Sequence, residues 1–258
     1  MTAQVRFEVT AAEREVADLL PLDIPVPECE RVLREVPIWF HTFALNKAAG
    51  VYTPGLARDH RYRIPYLPQD FDGLRVLDVG TCDGFYAFLA EARGARRVLA
   101  VDSEQYVHMV RERWGVHIPG GRAFGTVSTL IGSSVTYLRA DALDLAVSPE
   151  RFDFIFCCGM LHRVENPLGM LRTLRGLLTP GGRMLLETYG NVAADGESAP
   201  VRVLASGEAN PGDDVHYWGF SPAAVTHLAQ WAGLAETGDT SQRTVDGHPR
   251  IIATLRAV

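Results

Sequence analysis

The chain is short of cysteine, of unbroken apolar sequence and of positive charge. Its four cysteines, Cys29, Cys82, Cys157 and Cys158, form no CxxC pair in 258 residues. That spacing excludes a disulfide framework and a zinc site of ordinary pattern, so reduced and mostly buried thiols are expected. No run of about 18 apolar residues occurs, so no membrane span is expected. The opening stretch MTAQVRFEVTAAEREVADLL lacks the charged-then-apolar order of a signal peptide, which makes the cytoplasm the expected compartment. Lysine and arginine total 25 against 31 acids, a net charge of −6. Nucleic-acid binding wants a basic footprint, so nucleic acid is not the expected partner.

What is present is alternation. LRVLDVG, RRVLAVDS, VTYLRADAL, RFDFIFCCGM and TPGGRMLLETYG read as strands. FYAFLAEARG, EQYVHMVRERWG, PLGMLRTLRGLL and SPAAVTHLAQWAGL read as the helices between and after them. Continuous apolar strands fit a sheet covered on both faces. GLAETGDT and PRIIATLRAV close the chain as two strands, joined at VDGH by a hairpin signal. The predicted fold class is α/β: a doubly wound, seven-stranded, mostly parallel sheet with an antiparallel C-terminal hairpin. Residues 1–70 are broken by proline and are predicted to form a helical and irregular cap on a main domain of residues 71–258. Two stretches interrupt the alternation, at about 115–134 and 190–220. Long connections in a compact domain tend to be functional, so both are candidate walls of an acceptor pocket.

The first strand of that domain ends in VLDVGTCDG. Gly80 and Gly84 bracket a turn at the strand's carboxyl end, where open parallel sheets bind their ligands. Asp102 ends the second strand, where a carboxylate can accept from ribose hydroxyls. A dinucleotide site would need G-x-G-x-x-G, and here Asp83 sits inside the loop, where its charge would repel a pyrophosphate.

With these motifs in order, residues 74–256 resemble the class I S-adenosylmethionine (SAM) dependent methyltransferases, whose fold is Rossmann-like. VLDVGTCDG looks like the SAM-binding glycine motif, VLAVDS like the ribose-binding strand end, RADAL like the adenine-side acid, and the run from FDFIFCCGM to LLE like the fourth strand, helix and fifth strand. The resemblance implies SAM as cofactor and S-adenosylhomocysteine as product. It implies that Asp78, Gly80, Thr81 and Gly84 hold the methionine part, with Gly159 beside it, Asp102 and Ser103 the ribose, and Asp141 and Ala142 the adenine. PIWFHTFAL with YTPG, GMLHRVENPLGML and LLETYG is similar to the bacterial tRNA wobble-uridine carboxymethyltransferase family. Where that family has a Tyr after GVL, this chain has His162. The resulting expectation is a relative that uses ordinary SAM on another acceptor.

That acceptor is expected to be a small molecule methylated at a hydroxyl, in natural product biosynthesis. Methylation or carboxymethylation of a tRNA wobble uridine, methylation of a small amine and a non-catalytic SAM-binding role are the alternatives. A hydroxyl acceptor usually needs a base, and His162, after the fourth strand, is the candidate. Glu187, at the end of the fifth strand, is placed to orient that base or bind a substrate hydroxyl. Trp39, His41 and Tyr52 from the cap, and His216, Tyr217 and Trp218 from the long connection, are candidate acceptor contacts. Asp213, Asp214 and His216 offer Mg2+ ligands, but a lid is the preferred role and no metal is expected. Arg58, His60, Arg61 and Arg63 form a basic run, suited to an acidic substrate group or to a solvated face. A homo-oligomer is compatible with all of this.

Overall fold

A computed structural model describes residues 8–57, 59–191, 200–211, 213–238 and 240–258. The chain begins with α1 (Ala11–Ala17) and α2 (Val26–Glu35). Thr10 accepts the Glu13 N–H while Glu13 accepts the Thr10 N–H, so the first helix carries a reciprocal capping box. α2 stops just before Pro37, whose ring disfavours helix at the preceding residue. A two-stranded ribbon, β1 (Ala44–Asn46) and β2 (Val51–Tyr52), and a 3-10 helix at Arg61–Tyr66 complete the cap.

The main layer alternates as β3 (Arg75–Val79), α3 (Phe85–Ala92), β4 (Arg97–Asp102), α4 (Glu104–Trp114), α5 (Arg122–Ile131) and β5 (Thr136–Arg139). It continues as β6 (Phe152–Cys158), α6 (Pro167–Leu177) and β7 (Leu178–Tyr189). A small ribbon, β8 (Val201–Val203) with β9 (Trp218–Phe220), precedes α7 (Pro222–Trp231), β10 (Leu234–Glu236), β11 (Ser241–Val245) and β12 (His248–Ala257). The sheet runs β10-β12-β7-β6-β3-β4-β5, with β11 also paired to β12. β3 to β7 are mutually parallel, and β12 is antiparallel to β7. The strand order turns around at β3, which sends the glycine loop to the switch point where such sheets bind ligands.

The closing hairpin differs in detail from the expected one. Asp246 and Gly247, both at positive φ (49° and 79°), form its two-residue turn, and it joins β11, not GLAETGDT, to β12. GLAETGDT instead contributes β10, which pairs the far half of β12. β11 (SQRTV) has too few apolar residues for a periodicity reading to find it.

Both sheet faces are covered. Phe85 and Phe88 of α3, Phe124 and Val127 of α5, and Trp39 and Phe43 of the cap share one core, so the cap is packed into the domain. Met170, Leu171 and Leu174 of α6 and Val225 and Ala229 of α7 fill the other face. α4 packs with the cap residue Ile38 through Met109 and Val110. No residue of the segment expected as a pocket wall, 115–134, lines the cavity beside the sheet's end. α5 is a core helix against Phe88 and Tyr137, whereas the cavity wall comes from α4, ahead of that segment. Residues 192–199 of the second connection lie outside the described residues. No helix among the described residues is long and apolar enough to cross a membrane.

Candidate functional site

The β3 strand delivers Asp78 and then Gly80, at φ 77°. The N–H groups of Gly80 and Thr81 both donate to the Val101 carbonyl, at 2.8 and 3.1 Å, which ties the loop to β4. Asp78 is buried and accepts the Thr81 hydroxyl at 2.7 Å; burial pushes its carboxyl up to about 6. At the neighbouring strand tip, Asp102 accepts the N–H groups of Cys82 (3.0 Å) and Ser103 (2.9 Å), and burial raises it to about 7. Gly80, Asp102, Ser103, Gly159 and His162 line one narrow cleft of about 70 Å³, closed outward by Phe40 and by Tyr106 and Met109 of α4. The Tyr106 hydroxyl is buried there without a hydrogen-bond partner.

Five of the residues expected to hold the donor do not line this cleft: Asp78 and Thr81, which bond to each other, and Gly84, Asp141 and Ala142. Gly84 opens α3 at φ 90°, and a Cβ there would stand 2.6 Å from the Phe124 and Phe88 rings, so helix packing and backbone conformation demand this glycine. Asp141 caps a 3-10 helix by accepting the Leu143 N–H at 2.8 Å, and Ala142 is buried in the core. Asp83 also turns away from the cleft. It accepts the N–H groups of Phe40 and His41 and pairs with the His41 ring, so it grips the cap and presents no charge to a ligand.

Deeper in, charged side chains converge between the cleft and the cap. Glu187 is fully buried against Arg63 (2.5 Å) and Arg250 (3.4 Å). Burial opposes its charge, yet the two guanidiniums hold its carboxyl below the ordinary range. Arg163 makes a two-pronged bond to Asp213, at 3.0 and 2.9 Å. Burial alone would raise Asp213, but His216 and Arg163 pull it well down. His162 accepts the Tyr189 N–H at Nδ1 (3.2 Å), which puts the ring proton of the neutral form on Nε2. Its Nε2 is buried without a partner. Burial first, then His216 and the nearby guanidiniums, push its titration well below 6.5. The ring that faces the cleft is thus a neutral donor. The base expected from the sequence would need a free ring nitrogen, and Nδ1 is engaged.

His216 stacks on His162 (4.5 Å between centroids) and lines a second cavity, of about 440 Å³. Burial lowers His216 to about 4. The cavity's other walls include His60 and Tyr62 of the cap, Arg113 and Trp114 of α4, and Tyr189 and His248 beside the sheet's end. Phe40, Met109, Arg163 and Arg250 line both spaces, so the two meet. The expected acceptor residues mostly fall outside. Trp39 packs in the core, His41 is held by Asp83, and Tyr52 donates to Asp18 at 3.0 Å on the cap's ribbon. Trp218 donates its Nε1–H to the Val164 carbonyl (2.8 Å), and the Tyr217 N–H donates to the His162 carbonyl (2.9 Å), so both brace the site from behind. Asp213 and Asp214 do not converge on a metal position: Arg163 holds the first, and the second accepts the Ser206 hydroxyl at the surface. No group of three metal-ligating side chains occurs among the described residues. The basic run divides as well, with Arg61 outward on Asp59 and Arg63 inward on Glu187; Arg58 lies outside the described residues.

Sequence reasoning missed Tyr106, Arg163 and Arg250. Arg250 carried a signal, since it directly precedes the apolar run Ile251, Ile252 and Ala253; in the sheet it pairs with Tyr189.

Comparison with known proteins agrees with this arrangement. A family model described as "Methyltransferase domain" matches residues 53–237. A tRNA U34 carboxymethyltransferase of Cellvibrio japonicus is 25% identical over 264 residues, covering 92% of this chain and 70% of that protein. Across other matched enzymes of that name the chain covers 31% to 63% of the relative's length. A ubiquinone biosynthesis O-methyltransferase of Cereibacter sphaeroides is 33% identical over 121 residues, 47% of this chain and 43% of that protein. The N-terminal domain of EvdMO1, solved with SAH bound, has a TM-score of 0.60 at 19% identity, covering 92% of this chain and 99% of that one.

Proposed function

The chain belongs to the methyltransferase-domain family, and on that premise we propose that it transfers a methyl group from SAM to an oxygen of a small molecule. The observation that carries this reading is the junction of two spaces. A strand-tip cleft with buried acids opens, past Arg163 and Arg250, into a cavity of about 440 Å³, which lies in the size range of small-ligand sites.

The residues present suit a sulfonium-bearing nucleoside. Asp102 lines the cleft where the ribose would lie, Gly159 leaves room for the methionine part, and the unpartnered Tyr106 hydroxyl can bond a polar edge of the nucleoside. The cleft's 70 Å³ is below the usual ligand range, so its lining, Met160, Phe40 and the α4 residues Tyr106 and Met109 among it, has to give way to admit the donor. The donor supplies an electrophilic methyl. The chain's own residues align the acceptor oxygen with it and keep water out, and those two effects supply most of the rate. Turnover of methyl-labelled SAM in a metabolite extract tests the reading. A labelled product that partitions as a small molecule is expected; label in RNA, or no turnover, would overturn it.

A second reading is carboxymethyl transfer to a tRNA wobble uridine. The relatives' names motivate it, and one observation favours it: Arg250 presents a buried Nη1 with no partner, which suits a carboxylate. Tight, salt-sensitive binding of tRNA would establish that reading.

A further inference from the structure

The guanidiniums buried at the junction are not equally satisfied. Three guanidiniums, Arg63, Arg163 and Arg250, face two carboxylates, Glu187 and Asp213. Arg163 is satisfied by both Asp213 oxygens, and Arg63 by Glu187 and the Tyr86 hydroxyl (3.1 Å). Arg250 shares Glu187 only at 3.4 Å, and its Nη1 is buried with no partner. The imidazoles do not change the count, because burial keeps His60, His162 and His216 neutral near pH 7. The other titratable groups here, Tyr62, Tyr106, Cys158 and Tyr189, are all pushed up and stay neutral, while His248 is pushed down. Asp246 sits exposed in the hairpin turn at the rim. Arg250 is therefore the guanidinium left with an unsatisfied N–H, in a place where an unpaired polar group is costly. Beside it, His162 offers Nε2–H, and its Nδ1 is already taken by the Tyr189 N–H.

We propose that the acceptor binds as an oxyanion, a phenolate, enolate or carboxylate, held by Arg250 and the His162 Nε2–H, and that transfer proceeds without a general base. This rests on the methyl-transfer reading above. The acceptor loses its proton to solvent before it docks. Its oxygen lone pair then forms the O–CH3 bond as the S–CH3 bond breaks, and that bond's electron pair remains on sulfur as neutral S-adenosylhomocysteine. Donor and acceptor alike could bring an anion to Arg250, which lines both the cleft and the acceptor cavity, and a donor that carries a carboxylate tells the two apart.

The probe is 4-nitrophenol, whose ionised form absorbs visible light, titrated against protein saturated with S-adenosylhomocysteine. The bound phenol is expected to ionise about one pH unit lower than in solution, a roughly tenfold preference for the phenolate. Arg250→Met should abolish the shift. His162→Gln, which keeps an N–H donor, should retain most of it, whereas His162→Leu should lose it; melting curves show that each variant is folded. An unshifted or unbound nitrophenol overturns the proposal. So does a shift that survives in Arg250→Met, or one abolished by a donor whose transferred carbon carries a carboxylate, since the anion site would then serve the donor. Failure of the wild-type protein to bind S-adenosylhomocysteine would instead remove the methyl-transfer reading.

Discussion

Asp83 of the glycine loop accepts the N–H groups of Phe40 and His41, each at 2.8 Å, and its other oxygen pairs with the His41 ring. The acid that looked, in sequence, like a filter against phosphates is the clamp that fastens the cap to the cofactor loop. Removing it strands two buried N–H groups and an imidazole. Asp83→Ala should cost about 3–5 kcal/mol. For a chain of this size that corresponds to roughly 2–4 °C of melting temperature per kcal/mol. It should also weaken S-adenosylhomocysteine binding, because the loop loses its anchor. A melting temperature within 1 °C of wild type would show that the clamp carries no load.

The Arg63–Glu187 pair joins the cap to the end of β7 inside the protein. Either single change, Arg63→Met or Glu187→Leu, leaves an uncompensated buried charge and should destabilise by about 3–5 kcal/mol. The double variant should recover much of that loss, since it buries neither charge. Denaturant titration of the four proteins reads the coupling directly. Additive losses would mean that the two side chains do not act as a pair.

Donor binding should depend on pH through Asp78 and Asp102. Burial raises them to about 6 and about 7, so in the free protein both hold protons that an unfolded chain has released. The sign follows: their contribution to stability is present at low pH and is lost as pH rises from about 4 through 6 to 7. An ammonium and a ribose favour the ionised acids, so binding releases protons. Affinity should fall by up to about tenfold per pH unit per group as pH drops below 7. Calorimetry in buffers of different ionisation enthalpy measures the protons released. Proton uptake, or affinity flat from pH 5.5 to 8, contradicts the assignment.

α4 covers the cofactor cleft and ends in Gly115 at φ 62°, a left-handed residue with open space around it. Tyr106→Ala should open the cleft and raise the association rate of S-adenosylhomocysteine several-fold in stopped flow. An unchanged rate would mean that the donor enters by another route.

Much of this architecture was legible in the residues. β3, β4 and β6 are continuous apolar runs that only a doubly covered sheet explains, and Asp102 stands where such sheets place their ribose acid. What escaped was direction. Nothing local tells that Asp83 points 43 residues back to Phe40, or that Arg63 points inward while Arg61 points out. Trp39 and His41 could not be told from pocket residues, because a core aromatic and a ligand-facing one have the same chemistry. Arg250 and Asp213 gain meaning only when folding brings together segments far apart in the chain.

The most direct test is a crystal of the protein grown with S-adenosylhomocysteine, with calorimetry on the same sample. Density for the nucleoside against Asp102, with its sulfur turned toward Arg250 and the second cavity, is the predicted result. A protein that takes up no heat and shows no density beside Gly80 and Gly159 would contradict the account.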